Sequence, residues 1–307
     1  MFDILMTTLP IYLMIVIGYV SVRSGYLSGA HVPGLGQYVL KIALIGLIFN
    51  AIAVQRDTTT LNPSFFVAYL VGSLVTMILS FFAAKFLLRR PAAESWILAM
   101  GMANANGGFL GYPITALFFG DRGAVVFAMA FTIENVVTLP FAIVAAGIAG
   151  HTGDTRTLIR DAALKIVKNP FIIAVALSML VRMLDIPLGA PVERVFGMIA
   201  ASAAPVALFV IGGTVAGMSA SGHWRRTTLV AAGKLGLHPL LVAAALILVP
   251  GVPPELIPVG IVYAAMPMLT IYPILAAPFG LQAVTSTALL VSTALSLFTV
   301  SFVISLV

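Results

Sequence analysis

The sequence predicts an all-α polytopic membrane protein of about ten transmembrane helices, and three observations carry that prediction. Hydrophobic residues make up 61% of the 307 residues and charged residues only 8%, against roughly 25% charged in an ordinary soluble domain. The apolar residues fall into runs close to the roughly 20 that one helix needs to cross a hydrocarbon core. The 16 Lys and Arg residues cluster in a few short loops between those runs. That placement is the mark of membrane topology, so the formal charge of +6 does not point to a nucleic acid partner. So few charges cannot cover a soluble surface, and the solvent of this chain is the lipid bilayer.

Hydrophobic runs between polar breaks place the first five spans at Ile4–Val22, Pro33–Val54, Ser64–Leu88, Ser95–Phe119 and Gly123–Ala149. A polar linker, His151 to Arg160, precedes spans at Val167–Ile186, Pro191–Met218, Thr227–Val249, Pro254–Phe279 and Gln282–Leu306. The start, Met1-Phe2-Asp3, has no basic n-region, so the first run reads as an uncleaved helix. Twelve Lys and Arg flank one side of these spans, among them Lys85, Arg89, Arg90, Arg225, Arg226 and Lys234. Only four, Arg56, Arg122, Arg182 and Arg194, flank the other. The excess assigns the odd-numbered loops to the cytoplasm and both termini to the outer side.

Two halves are expected, residues 1–150 and 151–307. Five helices in each is an odd number, so the second copy is inverted. A constant shift of 160 residues pairs Pro10 with Pro170 and Phe49 with Phe209. At the same shift Tyr112-Pro113-Ile114-Thr115-Ala116-Leu117-Phe118-Phe119-Gly120 matches Tyr272-Pro273-Ile274-Leu275-Ala276-Ala277-Pro278-Phe279-Gly280 at six of nine positions. Inverted repeats are the usual construction of secondary transporters, and matched interruptions in the two halves mark a midplane site.

Both interruptions are legible. In the fourth span, Asn104-Ala105-Asn106-Gly107-Gly108 is followed by Gly111-Tyr112-Pro113. In the ninth, Met266-Pro267 and Tyr272-Pro273 flank Thr270. Proline removes an amide donor and clashes with the preceding turn, and glycine weakens a helix further. Single prolines also make simple kinks. Matched double breaks point instead to opened helices, whose N–H ends suit an anion and whose freed carbonyls suit a cation.

These two segments, Asn104 to Pro113 and Met266 to Pro273, make the sequence similar to the auxin efflux carrier family. The similarity is to its bacterial branch, and the second segment resembles the malonate-transporter-like members. The short linker between the fifth and sixth spans fits that branch; the plant members have a long loop there. The resemblance implies a scaffold of helices one, two, six and seven (about 4–54 and 167–218). It implies a transport core of helices three to five and eight to ten (about 64–149 and 227–306), with broken helices four and nine crossing at the site. It further implies a small organic anion such as malonate as substrate, an elevator-type motion, a homodimer and a place in the bacterial inner membrane.

Polar groups inside a membrane are costly, so each candidate has a reason to be there. Asn104, Asn106, Gly107, Gly108, Tyr112, Thr270 and Tyr272 are the expected substrate contacts at the breaks. Asn50 joins them if it faces the core, as the resemblance implies. The amides donate to a carboxylate without burying a fixed charge; their alternative is to cap helix ends. The tyrosines bind or pack. Pro113, Pro267 and Pro273 are the expected hinges. Glu134, beside Asn135 in the fifth span, is either paired or protonated, because loss of water penalises the charged form. Its roles are proton carrier, cation ligand (H⁺ or Na⁺ being the coupling ions) or a neutral acid held in the bundle. Lys234 and His238 lie one turn apart on one helix face. Lys234 is expected to snorkel to the interface, and His238 to relay protons, pair with an anion or pack.

No cysteine is present, which excludes thiol chemistry and cysteine-bound metals, and His31, His151 and His223 form no ligand spacing. No cofactor or metal is expected. The signatures of intramembrane enzymes and of nucleotide-driven pumps are missing. A secondary carrier for a small carboxylate is therefore the leading expectation, with a membrane sensor or a channel as alternatives. A channel would line its path with repeated polar rings, whereas the polar groups here gather at two breaks. No buried arginine offers a partner to a second carboxylate, which keeps monocarboxylates in play.

Overall fold

The computed structural model describes residues 2–54, 61–151, 154–218 and 223–307; Arg56 of the charge count lies outside them. Among these residues the architecture is all-helical, with one isolated bridge and no named strand. The helical segments run α1 (Phe2–Arg23), α2 (Gly29–Val54), α3 (Pro63–Leu87), α4 (Ala92–Ala103), α5 (Gly107–Phe119) and α6 (Asp121–Ala149). They continue with α7 (Thr155–Val167), α8 (Pro170–Met183), α9 (Ala190–Ala216), α10 (Trp224–Leu248), α11 (Pro254–Ala264), α12 (Tyr272–Ala276) and α13 (Gln282–Leu306). Six of them, α2, α3, α6, α9, α10 and α13, are long and apolar enough to cross a membrane, and the pair α7 and α8, bent by 47°, would make a seventh.

Local chemistry sets the ends. Asn62 precedes α3 and accepts from Phe65 N–H at 2.8 Å, with Pro63 in the first turn, where its missing N–H costs nothing. Asn169 and Pro170 open α8 in the same way, through Phe171 N–H at 2.9 Å. Asp154 caps α7 by accepting from Thr157 N–H at 3.2 Å. That cap helps turn much of the expected linker at 151–160 into a helix. The helix is amphipathic, with Leu158, Ala162 and Ile166 recurring at helical spacing and no residue buried.

The chain divides into two units, Met1–Leu61 with Gly107–Thr132 and Val167–Gly217, and Asn62–Asn106 with Ile133–Ile166 and Met218–Val307. In the first unit α1 and α9 meet backbone to backbone. A Cβ on Gly212 would lie 1.9 Å from Ile15 O, and one on Gly18 2.1 Å from Phe209 O. Small residues allow such approach where lipid supplies no hydrophobic drive between helices. Phe49 stacks on Phe196 at 4.1 Å, and Tyr38 and Ser202 share a hydrogen bond of 2.7 Å.

In the second unit Gly72 brings α3 against α10, since a Cβ there would sit 2.7 Å from Val242 Cα. The buried core joins Met77 and Phe81 of α3, Ile97 to Ala103 of α4, Ala142 and Ala146 of α6, Tyr272 and Ala276 of α12, and Val284 and Ala288 of α13. The opposite face of α3 exposes Val67, Val71, Val75, Ile78 and Phe82. An apolar stripe that leaves the core in this way faces lipid.

Candidate functional site

The breaks in the fourth and ninth expected spans are real interruptions of helix, and the second unit pairs them. After α4 the chain is extended at Asn104, and after α11 it passes through residues 265–271 without forming a helix. Ala105 and Met268 form an antiparallel bridge, and Asn106 N–H donates to Pro267 O at 2.7 Å. Asn106 Nδ2 adds a bond of 2.9 Å to Thr270 Oγ1. Backbone polar groups within a bilayer must find partners inside the protein. The pairing of one break with the other supplies some of them.

Two buried ionisable side chains supply others. Glu134 accepts at Oε1 from Ala105 N–H (2.9 Å) and from the Tyr69 hydroxyl (3.0 Å). Lys234 donates from Nζ to Ala264 O, at the last residue of α11, at 2.6 Å. The carboxylate thus takes a free N–H at one break, and the ammonium sits at the negative end of the helix that leads into the other. Lys234 Nζ is also 2.7 Å from His238 Nδ1, and His238 Nε2 is 3.1 Å from Ser73 Oγ. With the ammonium donating to Nδ1, the imidazole carries its proton on Nε2, facing Ser73. The Tyr69 ring lies edge-on to His238 and to Tyr263, with centroids 6.0 and 5.9 Å away. Glu134, Lys234, His238, Tyr69 and Ser73 are all essentially inaccessible to solvent, and Glu134 and Lys234 attract one another across the network.

The backbone around both charges is a wide π-helical turn, Glu134–Thr138 in α6 and Gly233–Leu237 in α10. Each is followed two residues later by a proline, Pro140 and Pro239. A proline ring clashes with the carbonyl four residues back, and a π turn relieves it by bonding i to i−5, as Leu139 N–H does with Glu134 O and His238 N–H with Gly233 O.

Lys234 corrects the sequence reading, since it does not snorkel. It is wholly buried, because a helix C-terminus and a histidine nitrogen within the bundle offer it acceptors that a trip to the interface would forgo. Asn104 uses both ends of its amide within the protein. Nδ2 donates to Met100 O at 2.8 Å, a carbonyl left open at the end of α4, and Oδ1 accepts from Thr138. This is the helix-end capping that competes with substrate contact. Tyr272 is fully buried, donates to Ile97 O at 3.1 Å and fills the space left by Gly101, where a Cβ would come within 2.4 Å of its ring. Pro267 and Pro273 are buried beside it, and Asn135 is half-buried on the Glu134 turn.

Asn50, Gly107, Gly108, Tyr112 and Pro113 belong to the first unit. There Asn50 begins a π turn (Asn50–Val54), and a Cβ on Gly108 would lie 2.5 Å from Leu44 Cδ1. Tyr112 packs against Phe127 at 5.8 Å, and Pro113 is buried in the first turn of Tyr112–Phe119.

A model of the membrane transport protein family matches residues 3–147 and 151–304. The chain belongs to this family, that of the auxin efflux carriers. Its relatives in the family include a Rhizobium meliloti protein named "Putative malonate transporter", 26% identical over 97% of this chain and 94% of its own length. An "Uncharacterized transporter" of Methanothermobacter thermautotrophicus is 26% identical over 77% of this chain and 76% of its own. The "Uncharacterized transporter YfdV" of Escherichia coli K12 is 24% identical over 68% and 67%. Family and relatives are transporters and not enzymes.

In this member of the family the sequence reading passed over Tyr69, Ser73 and Thr138. A signal for the first two was present. Tyr69, Ser73, Thr76 and Ser80 recur at helical spacing on α3, and all are buried. That is a polar stripe pointing away from lipid.

Proposed function

We propose that the protein is a secondary active transporter of small carboxylates, malonate among them, working by elevator-type alternating access and coupled to protons. The observation that carries this reading is the paired breaks held by Glu134 and Lys234. After their mutual bond Asn106 keeps a second amide hydrogen and Thr270 keeps its hydroxyl hydrogen, two neutral donors set side by side. A carboxylate accepts from both without the cost of burying an arginine. Glu134 is the proton carrier in this reading, because its loss of charge would loosen the bond to Ala105 N–H and so the break itself. Lys234 is the fixed counter-charge, and His238 with Ser73 positions it. The resemblance to a named malonate transporter supports the substrate class.

The ten-span layout belongs to the same proposal. It takes α1, α2, α3, α4 with α5, α6, α8, α9, α10, α11 with α12, and α13 as the ten spans, in two inverted halves. Both termini face outward from a bacterial inner membrane, and two copies form a dimer.

Counterflow of labelled malonate in proteoliposomes, with unlabelled carboxylates as competitors and at two pH values, tests the reading. Saturable exchange whose half-saturation rises in Asn106→Ala and in Thr270→Val supports it. Absence of exchange with every carboxylate, from protein shown to be folded, refutes it in favour of a sensor. Flux without saturation or counterflow refutes it in favour of a channel.

A further inference from the structure

The second unit carries a basic cavity that the transport reading does not use. It lies where the turn between α3 and α4 meets the start of α10, and its volume is about 640 Å³. Arg89, Arg90, Arg225 and Arg226 line it, with Leu87 and Trp224 on its apolar wall. Arg89 turns the chain with φ 51, a left-handed conformation rare for a side chain of its size. Arg90 and Arg226 converge on one carboxylate, that of Glu94, at 3.5 and 3.2 Å. Among the described residues Arg89 and Arg225 make no ion pair. Four guanidinium groups against one carboxylate leave three positive charges without a counter-charge. Guanidinium forks facing one space are the arrangement that phosphate oxygens fit. The cavity also lies at the N-terminal end of α10, where first-turn amides favour an anion.

The surroundings distinguish a lipid from a soluble anion. Trp224 is 53% exposed and Leu87 73% exposed at the cavity, and tryptophan favours the headgroup level of a bilayer. The lipid-facing stripe of α3, from Val67 through Val75 and Phe82 to Phe86, runs up to the same place. An inorganic anion has no use for such a track, whereas an acyl chain lies along it while its headgroup occupies the cavity. We propose that this cavity binds the phosphate of an anionic phospholipid, held by Arg89 and Arg225 with its chains along α3. Basic pockets beside membrane helices take such headgroups.

The test uses the full chain, delipidated in neutral detergent and examined by native mass spectrometry. Phosphatidylglycerol, phosphatidylcholine and inorganic phosphate are added separately at matched concentrations. Phosphatidylglycerol should be retained in preference to phosphatidylcholine, and inorganic phosphate should neither bind nor displace it. Arg89→Gln with Arg225→Gln should weaken retention about thirty-fold, from two basic residues at the headgroup. The Arg89→Lys, Arg225→Lys pair should keep most of it. Equal retention of both lipids overturns the proposal, as does unchanged retention by a glutamine variant that melts at the wild-type temperature. Inorganic phosphate binding as well as phosphatidylglycerol also overturns it and assigns the cavity to a soluble anion. If the glutamine variant fails to fold, the wild-type comparison of the two lipids and the lysine pair decide the matter.

Discussion

Replacing Lys234 by methionine isolates the contribution of the buried ammonium, since the side chain keeps nearly the same length and loses only its charge and donors. In the native network that ammonium holds Ala264 O at 2.6 Å and His238 Nδ1 at 2.7 Å, out of reach of water. A hydrogen bond from a charged donor contributes about 1.5–3 kcal/mol. Its loss also leaves Glu134 without the opposite charge it feels, and uncompensated buried charge is the costly part of breaking an ionic network. Together these place the loss at about 2–4 kcal/mol, or about 3–6 °C in melting temperature for a chain of this size. Tryptophan fluorescence during heating in detergent reads it, because Trp96 lies against Phe81 with centroids 4.2 Å apart. The double variant Lys234→Met, Glu134→Gln supplies the sharper check. Removing both charges should cost less than the sum of the single variants, by about 0.5–3 kcal/mol of coupling. A Lys234→Met protein that melts within a degree of wild type, or strictly additive variants, would refute the account of the ammonium as the partner of the α11 end.

Three further outcomes follow from the same contacts. Glu134→Gln keeps an oxygen for Ala105 N–H and Tyr69 but cannot carry a proton, so counterflow should persist while uptake driven by a pH gradient disappears; gradient-driven uptake at the wild-type rate removes Glu134 from coupling. Thr270→Val and Asn106→Ala each delete one of two neutral donors, worth about 1 kcal/mol, so half-saturation for substrate should rise about five-fold or more with little change in melting temperature, and an unchanged concentration dependence rules the pair out as a binding element. Gly212→Ala forces a methyl into the Ile15 carbonyl and should cost about 1–3 kcal/mol by overpacking, read as a lower melting temperature; a neutral result means α1 and α9 do not approach so closely.

What the sequence disclosed follows from which physical demands act locally. The bilayer's demand for long apolar helices acts on every residue of a span, so helices such as Pro63–Leu87 and Gln282–Leu306 were readable within a residue or two. The breaks were readable because Asn-Gly-Gly and Met-Pro signals act within one turn. The extension of helix through the expected linker was missed because its cap, Asp154, is a single residue in a polar stretch. The roles of Asn104 and Lys234 were not legible for a different reason. Each depends on an acceptor remote in the sequence or exposed only by a broken helix, Ala264 O for one and Met100 O for the other. A lysine near a helix end has two low-energy fates, the interface or an open carbonyl, and its own neighbourhood does not choose between them.

The two breaks explain why a membrane bundle would keep two such costly residues. A helix opened in mid-bilayer exposes N–H groups on one side of the gap and C=O groups on the other, and no water is at hand to satisfy them. A carboxylate answers the first need and an ammonium the second, as Glu134 and Lys234 do at Ala105 and Ala264. A pair of neutral amides would fill the same roles without the burden of buried charge, so stability alone does not account for the choice. Ionisable groups differ from amides in that a proton can change what they bind. Under the proposed proton coupling, a break held by Glu134 has two states that differ in one proton, and the strength of its hold on Ala105 N–H differs between them. The amides at the paired breaks, Asn104 and Asn106, have no such second state, which fits them for holding a helix end and offering donors, while in the proposed cycle Glu134 switches against the fixed charge of Lys234.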